Sequence, residues 1–127
     1  MIRLVALAML VGGFAQAPSA QAQPARSDAQ AWLSRETADF IVLDKVNAKA
    51  VPLTLKVGQA ADKATLSIVL RACVVRPPDL PKDAAAYFEV NDSRPGAPGF
   101  HGWMLVNEPG VSLMQHPIYD IRLVACH

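Results

Sequence analysis

Apolar residues alternate with other residues in several segments between Phe40 and Cys126, and none of them shows the 3.6-residue period of an amphipathic helix. The alternating segments are residues 40–46, 51–57, 66–75, 85–90, 100–106 and 118–125. Alternation with a period of two is typical of β-strands, in which successive side chains point to opposite faces. The connections between the segments are short and contain no helical pattern. The sequence therefore predicts an all-β domain, a small single-domain β-sandwich or partly open barrel of about six mainly antiparallel strands.

Residues 66–75 are the longest of these segments, and both of their faces carry apolar side chains. Strict alternation puts Leu70 on one face and puts Arg71 and Cys73 together on the other. We therefore expect a strand that is partly covered on both sides. The segment at 51–57 contains Pro52, which cannot donate a ladder hydrogen bond, so its start is expected at a sheet edge.

The N-terminus has the pattern of a signal peptide. Arg3 precedes an apolar stretch at residues 4–14, a length of about eleven residues that suits a signal-peptide core and is too short for a bilayer, which needs about 20. Ala20-Gln21-Ala22 matches the small-x-small rule for the cleaving peptidase. We expect cleavage between Ala22 and Gln23, export to the periplasm, and no membrane span in the mature protein.

Removal of residues 1–22 changes the charge balance of the chain. The whole sequence has 12 basic and 11 acidic residues, and Arg3 is the only charged residue in the predicted signal peptide. The mature chain is therefore formally neutral. A neutral domain has no electrostatic reason to bind nucleic acid or anionic lipid, so we expect no nucleic-acid partner.

Both cysteines lie in the predicted mature chain, at Cys73 and Cys126. In an oxidising compartment, a pair without CxxC spacing indicates a structural disulfide, because redox and zinc sites need closer or more numerous sulfurs. Two buried free thiols are the alternative. The sequence favours the disulfide, which we expect to close the β-domain itself.

The predicted mature chain has two parts. Residues 23–38 are rich in Ala, Gln, Ser and charge, and Trp32 and Leu33 are the large apolar side chains among them. Burial of so few apolar groups does not offset the conformational entropy that is lost when a segment becomes ordered. We therefore expect a flexible leader with at most a helical turn near Trp32. Residues 39–127 are expected to form the single β-domain.

Several short motifs in the second half of the chain resemble a known family. They are Arg71-Ala72-Cys73, Arg76-Pro77-Pro78, Gly102-Trp103-Met104, His116-Pro117-Ile118-Tyr119-Asp120 and Cys126. Their order and spacing resemble domain of unknown function 2155, a family of small exported proteins of Gram-negative bacteria, over roughly residues 40–126. The resemblance implies export, one small domain and paired cysteines, and it implies no established activity, cofactor or ligand. The chain departs from the family at Arg122, where members carry a tryptophan.

The histidines are His101, His116 and His127, and the sequence has no HExxH, GxSxG, GxGxxG or Walker pattern around them or elsewhere. A metal site would need three or four ligands, for which His101, His116 and Asp120 are the candidates. The simpler interpretation is that His116, which precedes Pro117, bonds a nearby backbone group or caps a turn. We expect no metal and no cofactor.

Asp120 lies in a segment that is otherwise apolar enough for a central strand. A carboxylate in such a place is costly unless it is paired. Arg71 and Arg122 are the candidate partners, and a structural ion pair or turn bond is the favoured interpretation. As a general base Asp120 would need a second group within reach, and the sequence identifies none.

Trp103 and His101 share one face of the segment at 100–106, where Tyr87 or Tyr119 could join them in an exposed aromatic strip. Exposed apolar strips of this kind bind sugars or partner proteins. The favoured interpretation is instead that Trp103 belongs to the core and fills the contact with the second sheet. The candidate binding residues are His101, Trp103, His116, Tyr119 and Asp120.

Two functions follow from these candidates. The first is a non-catalytic periplasmic module that binds an envelope protein or glycan through a sheet face or through the loop at residues 92–99, which holds two prolines and two glycines. The alternative is a small hydrolase or metal-dependent enzyme centred on His116 and Asp120. The lack of a recognised catalytic pattern favours the binding module.

Overall fold

The computed structural model describes residues 31–127, and these residues form β-strands, one 3-10 turn and no α-helix. The strands are β1 (Leu33–Arg35), β2 (Thr37–Asp44), β3 (Lys49–Lys56), β4 (Ala60–Lys63), β5 (Leu66–Val75), β6 (Ala84–Asp92), β7 (Phe100–Leu105) and β8 (Tyr119–Cys126), with the 3-10 turn at Pro109–Val111. The predicted all-β class is confirmed, and the two strands that the sequence pattern did not predict are the short β1 and β4. In the part of the chain that the structure describes, no helix has the length and apolar character needed to cross a membrane.

The strands form two antiparallel sheets that face each other. Sheet I has the order β1-β5-β6-β7. Strand β4 also pairs with β5, on the same edge as β1; β4 pairs with residues 66–69 and β1 with residues 73–75. Sheet II has the order β3-β2-β8. The chain passes from sheet II to sheet I at Gly58, which has a φ of 84° and donates its backbone N–H to the carbonyl of Leu70 at 2.7 Å. Glycine suits this position because it adopts a positive φ without a Cβ clash.

The core lies between the sheets and is built from the inward positions of both. Phe40 of sheet II and Phe88 of sheet I meet at its centre with ring centroids 5.0 Å apart. Apart from Cys73, the other large side chains that are inaccessible or nearly so are Leu55, Leu66, Ile68, Leu70, Val90, Met104 and Ile121. Period-two alternation brings these residues to one face of each sheet, and burial of that face is the main contribution to stability.

Strand β1 lies in the segment for which the sequence predicts a flexible leader. Leu33, Ser34 and Arg35 pair with Val75, Val74 and Cys73 of β5. The guanidinium carbon of Arg76 lies 5.3 Å from the centroid of the Trp32 ring, which adds a cation–π contact beside this pairing. The described part of the predicted leader is therefore ordered by pairing with other strands, residues 33–35 with β5 and residues 37–38, the first of β2, with sheet II. The predicted signal peptide and the rest of the leader, residues 1–30, lie outside the described residues.

A β-bulge in β5 overturns one expectation about side-chain direction. Leu70 pairs with Phe88 and Ala72 pairs with Tyr87, which leaves Arg71 as an extra residue opposite β6. The extra residue shifts the alternation by one position, so Cys73 points into the core and is 1% exposed. Strict alternation wrongly placed Cys73 on the outer face with Arg71.

The predicted disulfide between Cys73 and Cys126 is confirmed, with the two Cα atoms 5.8 Å apart. It joins β5 of sheet I to the end of β8 in sheet II. A second bulge precedes Cys126, because Val124 is an extra residue between Leu123 and Ala125 where β8 pairs with β2. Each cysteine therefore follows a bulge residue by two positions, and both bulges lie on the strands that the disulfide connects.

Candidate functional site

Trp103 lies on the outer face of sheet I and is 43% exposed. It pairs in register with Tyr87 of the neighbouring strand β6, and the two rings meet edge to face with centroids 5.6 Å apart. The alternation that buries Met104 and Phe88 directs Trp103 and Tyr87 to the opposite side of the sheet. The interpretation of Trp103 as a core residue is therefore wrong, and the exposed aromatic pair exists.

An open hollow of about 390 Å³ lies beside Trp103 on the same face. Its lining residues are all apolar, namely Trp32, Val74, Ala85, Trp103 and Leu105. Val74, Ala85 and Leu105 are in register across β5, β6 and β7, so they form one row of outward side chains. We call Trp32, Tyr87, Trp103 and Leu105, with the hollow between them, the outer strip.

Charged residues border the outer strip at one end. Arg71 donates to the Glu89 carboxylate at 3.0 Å, and His101 pairs in register with Glu89 on the other side. The hydrogen bond from Arg71 to Glu89, together with their mutual attraction, raises the pKa of Arg71. Arg76 lies at the other end, against Trp32. The apolar strip is therefore framed by polar groups, which is the arrangement found at protein interaction surfaces.

His116 occupies a different place, buried between the loop at residues 92–99 and the start of β8, with 3% of its surface exposed. Its Nδ1 accepts the backbone N–H groups of Ile118 and Tyr119 at 3.1 and 3.0 Å. Nδ1 is thus unprotonated, and Nε2 carries the hydrogen that it donates to Asp92 Oδ2 at 2.8 Å. His116 caps the turn before β8, and both of its ring nitrogens are used in hydrogen bonds within the chain.

Asp92 is the centre of the network around His116, and its side chain is inaccessible to solvent. The Arg94 backbone N–H and guanidinium both donate to it, with Arg94 Nε lying 3.1 Å from Asp92 Oδ2. These bonds from Arg94, followed by the bond from His116, hold the pKa of Asp92 well below its ordinary value of 3.8. The guanidinium of Arg94 also lies over the Tyr119 ring, with 5.8 Å between its carbon and the ring centroid. The network fixes the loop at residues 92–99 against the segment before β8.

Asp120 forms an ion pair with Arg122, whose Nε lies 3.1 Å from Asp120 Oδ2. The other carboxylate oxygen of Asp120 accepts the backbone N–H of Ile121 at 3.0 Å. Arg122 is one of the two partners that the sequence indicates, and Arg71 pairs with Glu89 instead. Neither oxygen of Asp120 is hydrogen-bonded to His116.

The structure divides the candidate binding residues among three places. His101 and Trp103 lie on the outer face of sheet I, and Asp120 lies beside Arg122 in β8. His116 and Tyr119 pack together with ring centroids 5.3 Å apart, and both are buried. Within residues 31–127, no group of three or more His, Cys, Asp or Glu side chains is placed to hold a metal ion.

Several residues of the outer strip and of the network around His116 did not stand out in the sequence. Asp92 and Arg94 lie in a loop that was a candidate as a whole, but no spacing rule connects them to His116, 24 and 22 positions away. Trp32 lies in the predicted leader, where its large apolar ring was the one available signal. Leu105 follows Trp103 by two positions and lines the same hollow, as the alternation of a regular strand requires.

Comparison with known proteins gives a family and nothing more specific. No curated protein matches the chain, and no solved structure matches it. The family model of domain of unknown function 2155 matches residues 38–126, which cover nearly all of the described β-sandwich. The chain therefore belongs to this family, which is described as an uncharacterized protein conserved in bacteria.

Proposed function

We propose that this protein is an exported, non-catalytic module of the bacterial cell envelope that binds a partner protein through the outer strip of sheet I. The observation that carries the proposal is Trp103, a large aromatic side chain that is 43% exposed beside an apolar hollow. Tryptophan and tyrosine are enriched among the residues that dominate binding energy at interfaces. An exposed apolar patch that contains such a group marks an interaction site more often than a single exposed apolar side chain does.

The lining of the hollow favours a protein partner over a glycan. A sugar site combines an aromatic platform with polar side chains that bond the hydroxyl groups, whereas the residues of this hollow are apolar. An apolar side chain of a partner fits such a surface, and the flanking Arg71, Glu89 and Arg76 supply a polar rim. The loop at residues 92–99 is a weaker candidate surface, because Asp92 and Arg94 are already committed to the His116 network.

The enzymatic alternative has little geometric support. A hydrolase or metal site centred on His116 and Asp120 needs a free ring nitrogen, and both nitrogens of His116 are engaged within the chain. Asp120 is paired with Arg122. Metal analysis of the purified protein tests this alternative directly, since stoichiometric bound metal would favour it over the binding module.

Capture from envelope extract followed by reconstitution tests the proposal. A partner captured by the immobilised protein is identified and purified, and its affinity is then measured for the wild type, Trp103→Ala and Val46→Ala. Val46 is 71% exposed in the turn between β2 and β3, so it is a matched control for the loss of an exposed apolar side chain. We expect Trp103→Ala to weaken binding by about tenfold or more and Val46→Ala to leave it unchanged. Equal affinities of all three proteins, or binding to purified envelope glycan alone, would contradict the proposal.

Export is the second part of the proposal and has its own test. The pattern at residues 1–22 supports cleavage after Ala22 and localisation in the periplasm. Fractionation of cells that express the full chain, with mass spectrometry of the product, should find a protein in the periplasmic fraction that begins at Gln23. A full-length chain in the cytoplasm would exclude export.

A further inference from the structure

Strand β7 has a backbone edge that no described residue uses. The N–H of Val106 donates to the carbonyl of Ala84, which makes these two residues a hydrogen-bonded pair of the antiparallel ladder between β6 and β7. Hydrogen-bonded pairs alternate with non-bonded pairs along such a ladder. The N–H and C=O groups of His101, Trp103 and Leu105 therefore point away from β6. Strand β7 pairs with β6 alone, and no backbone hydrogen bond outside the strand ladders of residues 31–127 reaches these groups.

The other edge strands carry features that discourage pairing with a further strand. Strand β1 has three residues, and β4 has four, including Asp62 and Lys63. Strand β3 contains Pro52 in addition to its terminal lysines. Strand β8 contains Asp120, Arg122 and a bulge. Charges, proline, bulges and short length are the devices by which natural sheets protect their edges.

Strand β7 lacks all of these features. Its six residues, Phe100 to Leu105, include no proline and no Lys, Arg, Asp or Glu, and its ladder with β6 has no register shift. Its outward side chains His101, Trp103 and Leu105 are exposed or half-buried. An uncharged edge of this length, without a bulge, is a template for pairing with another strand.

We propose that the protein forms a symmetric dimer in which β7 pairs with β7 of a second copy, antiparallel and centred on Trp103. In this register Trp103 faces Trp103 of the second copy, and His101 faces Leu105 of the second copy. All three residues with outward backbone groups then occupy hydrogen-bonded positions, giving about six backbone hydrogen bonds between the copies. No like charges face each other. A two-fold interface requires such self-complementarity, and this edge provides it.

The dimer joins the two outer strips into one surface. Trp103 is on the outer face of sheet I in each copy, so the two indoles lie side by side, with Tyr87 of each copy beyond them. The pairing thus turns two separate strips into a continuous aromatic surface with two-fold symmetry. A single strand pair is a small interface, so we expect a dissociation constant on the order of micromolar.

The mass of the purified protein in solution, measured by sedimentation or light scattering from about 1 to about 300 µM, tests the dimer. We expect a transition from one chain to two in this range. Trp103→Lys puts two like charges opposite each other across the axis and should abolish the transition, whereas Val46→Lys, at an exposed site in the turn between β2 and β3 of sheet II, should not. A single-chain mass throughout the range overturns the dimer, even if the protein binds an extended peptide of another partner.

A pair of double variants tests the register. His101→Lys with Leu105→Glu places opposite charges at both facing positions of the dimer, whereas His101→Lys with Leu105→Lys places like charges there. The first variant should dimerise about tenfold or more tightly than the second. Equal dimerisation of the two variants, or a dimer that survives Trp103→Lys, shows that another surface is used and overturns the proposal. No partner protein is present in these measurements, so their outcome is independent of the binding proposal.

Discussion

His116 Nε2 lies 2.8 Å from Asp92 Oδ2, and both side chains are inaccessible to solvent. This hydrogen bond joins the end of β6 in sheet I to the segment that precedes β8 in sheet II. Because Nδ1 of His116 accepts two backbone N–H groups, the ring is held in one tautomer and one orientation. The arrangement resembles a catalytic carboxylate–histidine pair, but it leaves no ring nitrogen for a substrate. Its role in this domain is to close one end of the sandwich.

Asp92→Asn should lower stability at neutral pH, because it removes the charge that Arg94 and His116 bond. The pKa of Asp92 in the folded protein lies below the ordinary value of 3.8, so the carboxylate contributes stability above about pH 4 and loses it as the pH falls further. Urea denaturation at several pH values should therefore show a gap between wild type and variant that is constant near neutrality and shrinks below about pH 4. Asp79→Asn, at an exposed carboxylate, is the control. A gap that does not change on acidification would contradict the prediction.

Removal of the disulfide, by Cys73→Ala together with Cys126→Ala, should cost about 4 kcal/mol of unfolding free energy. The two cysteines are 53 positions apart, and the chain-entropy model gives this magnitude for a loop of that size. Chemical denaturation of the variant and of the wild type, with and without reductant, measures the loss. The reduced wild type should behave like the double variant. An unchanged denaturation midpoint would show that the disulfide does not stabilise the domain by reducing the conformational entropy of the unfolded chain.

Deletion of Arg71 should leave the disulfide intact, although it shortens the central strand. Ala72 already pairs with Tyr87, so removing Arg71 restores regular alternation and keeps Cys73 directed inward. Deletion of Val69, which pairs with Glu89 in the regular part of β5, also removes the extra residue, but it turns Leu70 outward and brings Arg71 to the core face opposite Phe88. Mass spectrometry after thiol alkylation should find no free thiol in the Arg71 deletion, and urea denaturation should find the Val69 deletion much less stable than the Arg71 deletion. Free thiols in the Arg71 deletion would mean that the bulge does not set the direction of Cys73.

Phe88→Ala should destabilise the domain by about 3–5 kcal/mol, because it leaves a cavity where the two sheets meet. Phe88 is inaccessible to solvent and contacts both Phe40 and Phe100. Val46→Ala, at a position that is 71% exposed, should change stability by less than about 0.5 kcal/mol. Thermal or urea unfolding of the two variants measures the difference. Similar stabilities would contradict the placement of Phe88 in the core.

Trp103 should behave as an exposed indole in fluorescence once Trp32 is replaced by Phe. Its 43% exposure predicts long-wavelength emission that iodide quenches readily. The same single-tryptophan protein should show a shift to shorter wavelength and weaker quenching when the partner or a second copy covers the outer strip. Short-wavelength emission that iodide does not quench in the free monomer would rule out the outer strip as a binding surface.

Local sequence patterns were sufficient for much of the fold. The bounds predicted for β5 agree with the structure, and the buried Phe88 and Val90 of β6 lie two positions apart, as the alternation of residues 85–90 requires. These results follow because alternation alone decides the faces of a regular strand. Strand β1 was not predicted because its order comes from pairing with β5. The small and polar residues of the predicted leader give no local signal of that pairing.

The sequence by itself determined the all-β class, the pairing of the only two cysteines and the membership of the family, because each of these depends on composition or on short-range pattern. The tertiary structure decided the direction of Cys73 and the separation of His116 from Trp103. A bulge arises where two strands are matched to each other, so the extra residue at Arg71 cannot be located in one strand alone. Likewise, the hydrogen bond between His116 and Asp92 forms because the end of β6 packs against the segment before β8. The spacing of the two residues along the chain does not predict this contact.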